Sequence, residues 1–145
     1  MFSWIKTLLS IFRPEGRGVR GEKLAAEHLG AVVGMRVLSR NWRNPRDRRD
    51  ELDLVALDGA VLVFVEVKTR TIGALVSGYR AVNARKKRVV LRAAKAYVRG
   101  MPQKPLTVRF DIVEVALPRE GGDADAEVHH FANVPLFPKS YRPGS

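Results

Sequence analysis

Glu51-Leu52-Asp53-Leu54-Val55-Ala56-Leu57-Asp58-Gly59-Ala60-Val61-Leu62-Val63-Phe64-Val65-Glu66-Val67-Lys68 is the stretch whose reading decides the fold. From Glu51, polar and apolar residues alternate and then give way to an apolar run ending at Leu57. Asp58-Gly59 follows, a pair that favours a two-residue hairpin turn because it accepts positive φ. Ala60 to Lys68 is β-branched and aromatic, the composition of a buried strand. With Asp58-Gly59 as the turn, Leu57 faces Ala60, Asp53 faces Phe64, and Glu66 faces Glu51. Residues opposite one another, or two apart on one strand, share a face. Asp53, Glu66 and Lys68 are therefore predicted on one side of the sheet. Leu52, Leu54, Ala56, Val61, Val63, Val65 and Val67 fall on the other, apolar side.

Charges on a strand this apolar are costly if buried without partners. One reading pairs Asp53 or Glu66 with Lys68 at an exposed strand end. The sharper reading is a divalent-metal site. Mg²⁺ takes hard oxygen ligands, one or two carboxylates from protein, and keeps several waters. Two carboxylates on rigid strands beside a cation suit metal-assisted phosphodiester hydrolysis.

The 145-residue chain is long enough for one domain with a modest core. It has no cysteine, which excludes disulfides, zinc thiolate sites and cysteine nucleophiles. Its 26 basic and 15 acidic residues leave a net charge of +11, the electrostatic footprint of a nucleic-acid binder. An anionic membrane surface is the competing partner.

Residues 1–17 are set apart as an apolar N-terminal segment. Phe2, Ile5, Leu9 and Phe12 recur at helical spacing, so an amphipathic helix is expected there. The apolar run is too short to span a membrane. It has no basic leading region or small-residue cleavage site, which argues against a signal peptide. Contact of residues 2–12 with a membrane surface is the weaker alternative, and a cytoplasmic location is expected. The domain proper is assigned to residues 18–134, and residues 135–145 to a Pro-containing, partly loose tail.

Within the domain a helix is expected from about Arg20 to Ala31, ended by Gly34. A strand follows over Met35–Arg43, a loop at Asn44-Pro45-Arg46-Asp47, then the hairpin. Thr69–Tyr79, with two glycines, reads as a loop or lid. A long helix is expected over about Ala81–Val98, with Val82, Val89, Val90, Ala93, Ala94 and Tyr97 as its buried stripe. It carries Arg85, Lys86, Lys87, Arg88, Arg92 and Lys95 and no acid, although mixed signs would add i,i+4 support. A strand over Thr107–Ala116 and a short edge strand near Val128–Phe131 complete the order α-β-β-β-α-β. Both helices are expected to cover the apolar face of the sheet.

Gly21-Glu22, Arg40-Asn41-Trp42-Arg43, Asp50-Glu51-Leu52-Asp53-Leu54-Val55-Ala56, Phe64-Val65-Glu66-Val67-Lys68-Thr69-Arg70 and Arg109-Phe110-Asp111 occur in that order. Together they closely resemble the YraN-like bacterial family, a group with a restriction-endonuclease-like fold. The resemblance spans roughly Gly18 to Val115. It implies an α/β domain with a three-layer core and a mixed central sheet. It also implies kinship with the PD-(D/E)-x-K metal-dependent nucleases, which include archaeal Holliday-junction resolvases. By that resemblance Asp53 is the metal-binding aspartate, Glu66 the second acidic ligand and Lys68 the active-site lysine. Glu22 matches an acidic residue on the first helix that often completes such sites. The chain departs from the pattern at Asp50, where the family usually has glycine, and in lacking proline before Asp53.

The expected activity is Mg²⁺- or Mn²⁺-dependent cleavage of DNA, with Lys68 positioning the attacking water. Arg70 and the helix residues Arg85, Lys86, Lys87, Arg88 and Arg92 would hold the nucleic-acid backbone. A binding protein that keeps the fold without cleaving is the second reading, and a docking protein using the N-terminal segment is the third. Self-association as a homodimer stays open. Glu51 is expected to pair with Arg40 or Arg43, Trp42 to pack at the core or rim, and Asp111 to be structural. His129 and His130, adjacent on a strand, face opposite ways and cannot chelate one ion.

Overall fold

The computed structural model describes residues 16–73 and 82–145. The N-terminal segment expected to form an amphipathic helix, and most of the expected lid, lie outside the described residues. Helix α1 spans Arg17–His28 and runs into a π-helical turn, Leu29–Val33. Gly34 ends it with φ +83°, a left-handed conformation that costs glycine nothing sterically. Strands β1 (Arg36–Arg43), β2 (Glu51–Asp58) and β3 (Val61–Thr71) follow, then helix α2 (Ala84–Gly100), β4 (Thr107–Leu117) and β5 (Glu127–Phe131). They form one sheet in the order β1-β2-β3-β4-β5. The β3–β4 pair is parallel and the other three pairs are antiparallel, so the sheet is mixed. A parallel pair needs a long crossover, and α2 lies in that connection.

The hairpin register differs from the expected one. Asp58 pairs with Val61, Leu57 with Leu62 and Val55 with Phe64, so Gly59-Ala60 is the turn. A turn on Asp58-Gly59 would need positive φ at both residues. Only Gly59, at +58°, has it. A turn with glycine first and a negative φ second satisfies the strand twist, and it moves the loop by one residue. Each opposing partner then changes by two places, which preserves the side each residue faces.

The expectation that both helices cover one face is corrected. α1 packs Ala25, Ala26 and Leu29 against Leu54, Ala56, Val63, Val65 and Val113. α2 packs Val90, Ala93, Ala94 and Val98 against Val55, Leu62, Phe64, Phe110 and Ile112 on the opposite face. The reason is the composition of β3, which is apolar on both sides and sits between a parallel and an antiparallel neighbour. Two dry faces need a helix each, which gives a three-layer α/β/α core. Leu52 is a second correction. It joins the α2 cluster although Leu54 belongs to the α1 cluster, so the alternation of β2 breaks at Asp53.

The end of the chain is packed rather than loose. Val134 N–H donates to Phe110 O at 2.7 Å, and Phe137 sits 5.9 Å, centroid to centroid, from Phe64. Tyr141 stacks on Phe137, and Lys95 Nζ lies 5.4 Å from the Tyr141 ring centre. No helix among the described residues is long and apolar enough to cross a membrane.

Candidate metal centre

The site forms where β2 and β3 part. Their regular pairing stops at Leu54–Val65. Beyond it the Asp53 carboxylate takes over the ladder's work, with Oδ2 accepting the Val67 backbone N–H at 2.8 Å. Glu66, only 3% exposed, is the neighbouring carboxyl. The two are close enough to hydrogen bond to each other.

Two ammonium groups converge on one oxygen of this pair. Lys68 Nζ and Lys86 Nζ each lie 3.4 Å from Glu66 Oε1. Lys86 comes from the first turn of α2. There the Asn83 side chain caps the helix by accepting the Lys86 backbone N–H at 3.0 Å. Burial, and then the charge of Asp53, push the Glu66 carboxyl up to about 7 against the pull of Lys86 and Lys68. Burial also raises Asp53, opposed by the Val67 N–H, by Lys86 and by Lys68. The carboxylates are thus held together at a cost that the lysines only partly offset.

Glu22 reaches the neighbourhood from α1. Burial raises its pKa, Asp53 raises it further, and a hydrogen bond with the Asn41 side chain opposes both. Asn41 is in β1 with φ +49°, an unusual left-handed backbone for a residue other than glycine and one that asparagine tolerates best. Glu22, Asn41, Arg43, Glu51 and Asp53 line a cleft of about 230 Å³. Gly21 permits this approach. A β-carbon there would lie 1.9 Å from Thr69 Oγ1, so only glycine lets α1 close onto β3. On the other side of Glu22, Arg17, Lys68, Thr69 and Arg70 line a second cleft of about 430 Å³.

The donor chemistry fits Mg²⁺ or Mn²⁺, since both carboxyls of the pair offer hard oxygen and one or two carboxylates suffice. Glu22 is not drawn into one ligand set with them. Among the described residues no three His, Cys, Asp or Glu side chains form a metal-holding group.

The expected backbone-binding residues divide. Arg85 and Arg88 are exposed and Lys87 is half-buried on α2. Lys86 is turned into the site instead. Arg92 Nε donates to Asp50 Oδ1 at 2.6 Å, which ties α2 to the loop before β2. Asp50 is buried and also accepts from Asn44. Arg70 donates through Nε to Glu114, a buried residue of β4. Glu51 pairs with Arg43 at 3.2 Å, and Trp42 packs edge-to-face on Tyr97 with centroids 5.3 Å apart. Asp111 is fully buried and holds Arg109, His130 and the Asn133 N–H, a structural network. His129 turns the other way, toward Glu127 at 3.5 Å.

The sequence reading missed Lys86 as a member of the carboxylate cluster, and Asn41 and Thr69 as its supports. A signal for Lys86 was present. It stands four residues before Val90, at the head of the buried stripe Val90, Ala93, Ala94 and Val98. A cation at a core-facing position requires a buried partner.

A family model described as "Uncharacterised protein family UPF0102" matches residues 21–115. That range runs from the Gly21 contact through every carboxylate and lysine of the cluster. The chain belongs to this family. A UPF0102 protein of Chlorobaculum parvum is 43% identical over 104 residues, covering 70% of this chain and 76% of the relative. One from Porphyromonas gingivalis is 40% identical over 126 residues, covering 87% and 90%. One from Anaeromyxobacter dehalogenans is 42% identical over 127 residues, covering 88% and 87%. In this UPF0102 chain, the matched segment ends at Val115 within β4, before the tail that packs on Phe64.

Proposed function

We propose that this UPF0102 chain is a divalent-metal-dependent nuclease that hydrolyses DNA phosphodiester bonds. The observation that supports it is the convergence of Asp53 and Glu66, with Lys68 and Lys86 both 3.4 Å from one Glu66 oxygen. Such a pair is costly to hold, because burial raises both carboxyls and the charge of Asp53 raises Glu66 further. Asp53 and Glu66 would hold the ion, and its chemistry is to polarise a phosphate oxygen and favour an ionised water. Lys68 orients the attacking water and offsets charge that develops on the phosphoryl oxygens. The water oxygen bonds to phosphorus and loses a proton. The bond from phosphorus to the leaving sugar oxygen breaks, and that oxygen gains a proton. Arg85, Lys87 and Arg88 hold neighbouring phosphates, and the +11 net charge favours the encounter.

The basic, acid-free sequence of α2 supports a second reading, a DNA-binding protein of the same fold that does not cleave. One experiment separates them. Purified protein is incubated with Mg²⁺ or Mn²⁺ on duplex, flapped, four-way-junction and single-stranded DNA, beside the Asp53→Asn variant. Metal-dependent product that disappears in the variant supports the nuclease. Metal-independent binding with no product on any substrate favours the binding protein.

A further inference from the structure

We infer that Lys86 is a movable cation of the carboxylate site, counterion to Glu66 when no divalent ion is bound and ligand of a DNA phosphate when one is. The inference rests on the divalent-ion reading of the Asp53–Glu66 pair.

The basic residues of α2 are not equivalent. Arg85 and Arg88 point to solvent and Arg92 is committed to Asp50. Lys86 alone among these four reaches the carboxylates, with its side chain 29% exposed. It enters from α2, whereas Glu22 approaches from α1 on the other face of the sheet. Lys68 is bound to the same strand as Glu66, so its position relative to that carboxylate is set by β3. Lys86 reaches the carboxylate across a helix–sheet boundary on a flexible four-carbon stem. On Asp53, the charge of Lys86 acts more strongly than that of Lys68.

Glu66 Oε1 is already shared by both ammonium groups. A carboxylate oxygen that takes a divalent ion cannot keep two ammonium neighbours, because like charges repel at such range. Lys68 is retained beside the ion for its work on the attacking water, so Lys86, carried on a separate element, is the one that yields. It keeps its charge, is partly open to solvent, and finds its nearest new anion in a phosphate brought to the ion. A fixed structural counterion would behave differently, since its contribution would not depend on the metal.

The test uses binding, so it does not require cleavage. Wild type, Lys86→Gln and Lys86→Arg are compared, with thermal melting confirming that each variant folds. By calorimetry without DNA, Lys86→Gln should bind Mn²⁺ several-fold more tightly than wild type, because a competing cation is gone. Duplex affinity is then measured in EDTA and in Ca²⁺. The ratio of wild-type to Lys86→Gln affinity should be near one in EDTA and roughly tenfold in Ca²⁺, with Lys86→Arg recovering part of the difference. An equal ratio in both conditions, or weaker Mn²⁺ binding by Lys86→Gln, overturns the inference. If wild type binds no divalent ion, the metal site and this inference fall together. If the coupling is present and no substrate is cut, the role of Lys86 stands and the nuclease reading alone fails.

Discussion

Asp53 Oδ2 accepts the Val67 backbone N–H at 2.8 Å, at the point where β2 and β3 separate. One carboxylate thus closes the end of a sheet ladder and offers its remaining lone pairs to the site. This double role separates two substitutions. Asp53→Asn keeps an oxygen acceptor for Val67 and removes the charge. It should abolish most divalent-ion affinity and any cleavage with little change in melting temperature in EDTA. Asp53→Ala leaves the Val67 N–H unpaired and should cost about 1–3 kcal/mol as well. Calorimetry with Mn²⁺ and urea denaturation read the two effects independently. Equal destabilisation by both variants would show that the charge itself holds the fork.

Stability should fall with pH through the range where Glu66 ionises. Its carboxyl is raised from the ordinary 4.5 to about 7. Between those values the folded state holds a proton that the unfolded chain has released. The contribution is therefore fully present below about pH 4.5 and is lost as pH rises through about 7. Each tenfold change in proton affinity is worth about 1.4 kcal/mol, so Glu66→Gln should be more stable than wild type at pH 8 in EDTA by up to roughly 3 kcal/mol. The gain should vanish at pH 4. Added Mg²⁺ should stabilise wild type and leave the variant unchanged. A less stable Glu66→Gln at pH 8 would mean that the lysines more than offset the burial.

Asp111 has the opposite sign. Burial alone would raise its pKa, but hydrogen bonds from His130, Arg109 and the Asn133 N–H outweigh burial and hold it below the ordinary range. Its contribution is present above about pH 4 and is lost as pH falls through the depressed folded value. Asp111→Asn should cost about 3–5 kcal/mol at pH 7, because Arg109 and His130 lose a buried partner. Urea denaturation at pH 7 and pH 3 should show that penalty shrinking in acid.

Gly21→Ala should destabilise by about 1–3 kcal/mol, since the new methyl group would meet Thr69 Oγ1 at 1.9 Å. Thr69→Ala removes that oxygen and should relieve part of the cost in the double variant. A double-mutant cycle on urea midpoints measures the coupling. Additive effects would mean that α1 shifts away from β3 without resistance.

Arg88→Ala and Arg92→Ala should part company. Arg88 is exposed, so its loss should weaken duplex binding alike for unrelated sequences and lower the salt slope by about 0.9. Arg92 is paired with buried Asp50, so its loss should lower the melting temperature by leaving that carboxylate with fewer partners. Salt-dependent binding curves and thermal melts on both variants decide it.

The strands, the long basic helix and the grouping of Asp53, Glu66 and Lys68 were legible in the sequence. Each rests on a local period: two residues along a strand, or nearly four along a helix. The hairpin's shift from Asp58-Gly59 to Gly59-Ala60 changed partners by two places and kept the pleat in phase as far as Leu54, and the break in alternation at Asp53 still left its carboxylate within reach of Glu66. The helices' placement on opposite faces was not legible from one strand's pattern read as half-dry. It depends on β3 being apolar on both sides and paired in parallel with β4. Lys86 on Glu66, Arg92 on Asp50, Arg70 on Glu114 and Gly21 against Thr69 each join separate elements of the chain. Periodicity says which way a side chain points on its own element. Only the packing of α1, α2 and the sheet, driven by two dry faces seeking cover, decides which distant residue it meets.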